Sequence, residues 1–131
     1  MKNMKNPIIK AGYDVNESWQ KGNARIHDVR QAGFKIHQLA KSSQDIVVQT
    51  ALRVVGQAVV TGHMREHAMV SSDYAVKVIN LLFPNDINAV RQERFWQIEH
   101  WIDWESISFS ISIFSSLIKK SWQIKNCRFP K

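Results

Sequence analysis

Apolar residues recur along this chain at intervals of three and four, and those intervals predict a series of helices. Between Asn16 and about Lys41, Ile26, Val29, Gly33, Ile36, Leu39 and Ala40 fall on one face. Gly22 interrupts that segment, which places Asn23 to cap a second, longer helix. Ser42, Ser43 and Asp45 make a polar break with helix-capping chemistry, and the next helix runs from about Gln44 to Thr61. From Ile46 to Val60 it is apolar nearly all the way round, the signature of a central buried helix. Its valines do not alternate cleanly, and the run is too long for one strand. Gly56 in its middle costs about 1 kcal/mol of helix propensity. That cost makes sense where a second helix packs closely, and Gly33 is the candidate neighbour.

Thr61, Gly62 and His63 form a short turn. A third helix is expected from about Arg65 to Leu82, with Ala68, Met69, Tyr74, Ala75, Val78, Ile79 and Leu82 inward. Pro84 stops it and Asn85-Asp86 opens a fourth, which runs to about Trp104. Ile87, Val90, Phe95, Ile98, Trp101 and Ile102 form the apolar stripe expected to face the core. Residues 106–113 alternate serine with Ile107, Phe109, Ile111 and Ile113, as a strand would. Trp104, Ile107, Ile111, Phe114, Ile118 and Trp122 also lie at helical spacing, and no partner strand is predicted elsewhere. The pattern as a whole predicts an all-α, single-domain, antiparallel bundle of four to five helices. Residues 1–13, rich in Asn and Lys, read as a flexible leader. Residues 14–105 form the core, and 106–131 an additional helix or an irregular basic tail.

The chain has 131 residues, enough for one core without metal or disulfide support. Its net charge is +7, and the excess sits entirely in the ends. Residues 1–10 and 106–131 contain lysine and arginine but no acid, whereas residues 11–105 are close to neutral. A nucleic-acid-binding domain carries its positive field on the folded face that meets phosphate, so nucleic acid is not an expected partner. A nucleic-acid-associated helical protein using its basic ends is the weakest of the alternatives. One cysteine, Cys127, cannot form an internal disulfide. The N-terminus has no apolar core run, and no uninterrupted apolar stretch is long enough to span a bilayer. Cytoplasmic location and no membrane association are the expectation.

Candidate chemistry centres on His63-Met64-Arg65-Glu66-His67, which matches the H-x-x-E-H pattern of inverted zinc peptidases. Two histidines four apart can grip zinc and the glutamate can act as general base. The segment straddles a helix start, and its third ligand is not evident. A metal-binding domain or zinc-dependent hydrolase using His63 and His67 is therefore kept as an alternative, with no cofactor as the main expectation. More broadly, His37, Gln57, His63 and His67 could converge on one polar pocket between helices. Neither a G-x-S-x-G nucleophile elbow nor a glycine-rich phosphate loop is present. Arg91, Arg94, Trp96, Trp101 and Trp104 are candidate partner-binding residues, since Trp and Arg dominate binding hot spots. The apolar 107–118 stretch is a candidate surface for a homo-oligomer.

The stretch from Ala51 to Ala68, with Gly56-Gln57, Thr61-Gly62-His63 and His67, resembles a known family, as does Ser72-Asp73-Tyr74-Ala75-Val76-Lys77. That family is the small helical immunity proteins of bacterial toxin systems. Ile36-His37 and Trp19-Gln20-Lys21-Gly22 match further parts of its pattern, and the likeness covers about residues 16–104. Gln57 stands where the family has a histidine. The resemblance implies a protein that binds and neutralises a cognate toxin by steric occlusion, without catalysis. Such a role needs a complementary patch of about 800 Å² per partner with a few anchors.

Overall fold

The computed structural model describes residues 6–102, apart from the side chains of His100, Trp101 and Ile102. Within them are five helices: α1 (Pro7–Gln20), α2 (Ile26–Ser42), α3 (Ile46–Val59), α4 (Glu66–Leu82) and α5 (Ile87–Ile102). A 3-10 turn, Val60–Gly62, follows α3 directly. The chain is an all-α helical bundle, and no strand occurs among the described residues. The expected fifth helix or tail at 106–131, the 107–118 association surface, Trp104 and Cys127 lie outside the described residues.

Each helix begins and ends for a local reason. Asn6 accepts the Ile8 N–H at 2.9 Å and Pro7 occupies the first helical position. Proline suits that position because its missing N–H would have had no partner there. The first helix therefore starts at Pro7, inside the stretch whose composition suggested a flexible leader to residue 13. Gly22, at φ 76°, turns the chain out of α1. The start of α2 is set by Arg25, whose backbone and guanidinium both bond Asp28, not by Asn23. Asp45 caps α3 as expected, accepting the Val47 and Val48 N–H groups at 2.8 and 3.3 Å. Asp86 does the same for Asn88 and Ala89.

The valine-rich α3 is the central helix, packed against α1, α2 and α4. One side of it closes a cluster with Ile9, Ile36 and Ala40; the other closes a second with Ala75, Val78 and Ile79. The suspected close approach of α2 and α3 is real. A Cβ placed on Gly33 would lie 2.0 Å from Val60 Cγ1 and 3.5 Å from the Gly56 carbonyl oxygen. A Cβ on Gly56 would lie 2.7–3.0 Å from the His37 ring. α1 reaches across to the end of α3: Asn16 Nδ2 donates to the Val59 carbonyl at 2.7 Å. The Trp19 ring also packs on Gly62, within 2.7–3.0 Å of where a Cβ would sit.

The fourth and fifth helices differ from expectation in which side they bury. Met69, expected inward, is 67% exposed. In α5, Phe95 and Ile98 are 66% and 54% exposed and Ile87 is exposed with them, while Glu93 and Gln97 are buried. Ala89, Val90 and Trp96 pack on the α3–α4 cluster instead. The polar pair is tolerated because it is bonded. Gln97 Nε2 donates to Glu93 Oε1 at 3.0 Å, and the Ser72 hydroxyl of α4 donates to Gln97 Oε1 at 2.6 Å. Arg94 closes the same seam through Ser72, Gln97 and Asp73, the last at 2.8 Å. A buried polar group costs little once its bonds are made inside, and this network turns the helix.

Candidate functional site

Arg30, Phe34 and His37 stand at intervals of four and three on α2, so they share one face. His63 follows the 3-10 turn and His67 lies in the first turn of α4. With Val60, these five side chains line an open pocket of about 230 Å³. The structure thus brings together three of the four residues expected to converge. The fourth, Gln57, supports the pocket from α3: its Oε1 lies 2.6 Å from His67 Nδ1. An amide oxygen can only accept, so Nδ1 carries the proton in that bond. His67 is thereby held in one orientation with its Nε2 left as the other ring nitrogen.

His37 has a different setting. Its ring lies over the Cβ-free backbone of Gly56, and its Nδ1 is buried without a hydrogen-bond partner among the described residues. Burial pushes its pKa below the usual histidine value, and the positive charges of Arg53, His67 and Lys41 push it further the same way. The charges that act on it are basic ones, and Arg30 places a guanidinium at the same pocket. Phe34 is 57% exposed and stands at its edge. Met64 beside His63, and Ile26 on the same stripe of α2, add further exposed apolar surface.

The H-x-x-E-H segment does not lie on one helix. His63 precedes α4, and its ring centroid is 6.0 Å from that of His67 with the planes tilted by 37°. Among the described residues, no group of three or more His, Cys, Asp or Glu side chains is placed to hold a metal ion.

The candidate partner-binding residues on α5, the fourth helix expected from the sequence, stand in different settings. Trp96 packs against the second core cluster. Arg94 is engaged with Ser72, Gln97 and Asp73. Arg91 is exposed on the far side of the helix with Phe95. The side chain of Trp101, and Trp104 altogether, lie outside what is described. Phe34 and Arg30 were missed in the sequence. The signal that could have found them is an arginine and a phenylalanine at helical intervals before His37, off the buried stripe of Val29, Gly33 and Ile36.

The fold and pocket together define a small helical-bundle protein with an open pocket lined by three histidines, an arginine and a phenylalanine. The chain belongs to the family described as Imm-5 like putative immunity protein, whose match spans residues 1–103. Comparison with curated proteins and with solved structures found no match. No helix among the described residues is long and apolar enough to cross a membrane.

Proposed function

We propose that this protein neutralises a cognate protein toxin in the cytoplasm by binding it and occluding a surface the toxin needs, without catalysing a reaction. The family supports the role. The observation that carries the choice of surface is the open pocket of Arg30, Phe34, His37, Val60, His63 and His67. Arg30 and the exposed Phe34 give this pocket two side chains able to act as anchors, and a few anchors hold most of an interface's affinity. Three imidazoles and a guanidinium favour an acidic or hydrogen-bond-accepting group from the partner.

The test is co-expression and binding with the toxin against which this gene protects cells. Phe34→Ala and His63→Ala should each weaken the complex by about 2 kcal/mol, roughly thirtyfold in Kd, and lower protection of cells expressing the toxin. Affinity within twofold of wild type for both variants, with the fold intact, would place the interface elsewhere.

A further inference from the structure

The three imidazoles of the pocket are not equivalent. His67 spends its Nδ1–H on Gln57 Oε1 at 2.6 Å, so the nitrogen left for a ligand is Nε2, a bare lone pair in the neutral ring. His63 makes no hydrogen bond among the described residues, so its neutral ring can carry the proton on either nitrogen. His37 has a buried, unpartnered Nδ1, and burial opposes its charged form, as do Arg53, His67 and Lys41. Arg30 brings a guanidinium to the same pocket with no hydrogen bond or ion pair to any described residue. None of the described residues lining the pocket is an acid.

We propose that the pocket takes up a carboxylate side chain of the toxin, and that docking it places a proton from solvent on His67, so that the complex tightens as pH falls. The inference rests on the toxin-binding role of this pocket; it adds the group recognised and the proton that comes with it. An ionised carboxylate only accepts hydrogen bonds, and the planar guanidinium of Arg30 matches it with two parallel donors. Neutral His67 would meet the same group with a lone pair. Its imidazolium offers Nε2–H while Nδ1–H stays on Gln57, and the incoming negative charge favours that charged ring. His63 needs no added proton, because its neutral ring can already turn an N–H towards an acceptor. His37 is the poorer receiver, held neutral by burial among positive charges. The titratable and charged groups at the pocket are thus Arg30 and His37 of α2 and His63 before α4, with Lys41 of α2 and Arg53 of α3 acting on His37.

The chemistry is tested first on the full chain with acetate as the probe. Nitrogen NMR of histidine-labelled protein follows each imidazole from pH 8 to pH 5, in sodium acetate and in sodium chloride of equal ionic strength. At about twice the acetate dissociation constant, the midpoint of the His67 titration should rise by about half a pH unit, with Nε2 gaining the proton. Acetamide, of the same shape but uncharged, should leave it in place. Equal midpoints in acetate and chloride would overturn the proposal, and so would the rise falling on His37 or His63. Calorimetry of the toxin complex in two buffers of different ionisation enthalpy then reads the proton directly. The expectation is uptake of about one proton per complex at pH 7.5, with Kd about tenfold tighter at pH 7 than at pH 8. His67→Gln should remove both effects. Toxin binding that depends on Phe34 but takes up no proton overturns this inference and leaves the toxin-binding role standing. Toxin binding indifferent to Phe34, with His67 still answering acetate, overturns the role and, with it, the toxin as the source of the carboxylate.

Discussion

Replacing Gly33 by alanine sets two effects of opposite sign against each other, and the structure decides between them. Alanine in the middle of a helix is favoured over glycine by about 1 kcal/mol. The new methyl would lie 2.0 Å from Val60 Cγ1, however, where carbon atoms rest about 3.5–4.0 Å apart. Val60 Cβ itself is 3.5 Å away, so turning the valine side chain is the only local relief. That residue is buried and its branched side chain is stiff at χ1. Overpacking of this kind costs about 1–3 kcal/mol, or more where backbone must move. The Gly56 carbonyl stands 3.5 Å from the same methyl, so α2 cannot slide towards α3. Gly33→Ala is expected to destabilise by about 1–2 kcal/mol net. Val60→Ala removes the atom in the way, so the double variant should cost about 1–2 kcal/mol less than the sum of the singles. Urea unfolding of the four proteins closes the cycle, provided the slopes agree. A Gly33→Ala protein more stable than wild type would refute the close approach, and so would additivity within about 0.5 kcal/mol.

Other expectations follow from single contacts. His37 has a folded pKa below its unfolded value of 6.5, so the unfolded chain takes up a proton the folded one resists. Stability should be full above that pH and fall as pH is lowered through it; His37→Gln should flatten the decline in a denaturation series from pH 8 to pH 5, whereas an unchanged slope would refute the role of this ring. Gln97→Ala removes a donor to Glu93 and an acceptor for Ser72 in a buried seam, at about 1–3 kcal/mol by thermal or urea unfolding. Arg91→Ala on the opposite side of the same helix should stay within about 0.5 kcal/mol. Asp45→Ala strips the cap from α3 and should cost about 1 kcal/mol, with Asp45→Asn recovering most of it.

Much of the bundle could be read from local signals because those signals act locally. Asp45, Gly22 and Pro84 delimit helices by backbone geometry and hydrogen bonding to near neighbours, and the all-round apolar run of α3 admits only a central position. The start of α1 was also written locally, in Asn6-Pro7, but the leader's polar composition masked it. The orientation of α5 was not legible. Its two sides carry similar apolar content, and the deciding term is the bond from Ser72 to Gln97, 25 residues apart. The histidine site was half legible: spacing put His63 and His67 one turn apart, and the family pattern drew in His37 and Gln57. Arg30 and Phe34 join them only through the α2–α3 approach at Gly33 and Gly56.

The seat of Trp19 on Gly62 bears on how the protein is made. The backbone on which the α1 indole rests is synthesised some forty residues after the indole itself. The bond from Asn16 to Val59 spans 43 positions in the same way. Contacts so distant along the chain are entropically slow to close, so α1 has little to lean on until synthesis has passed the turn. Maturation of the recess beside His63 is thereby tied to the docking of α1, and a nascent chain stalled before residue 62 would hold neither.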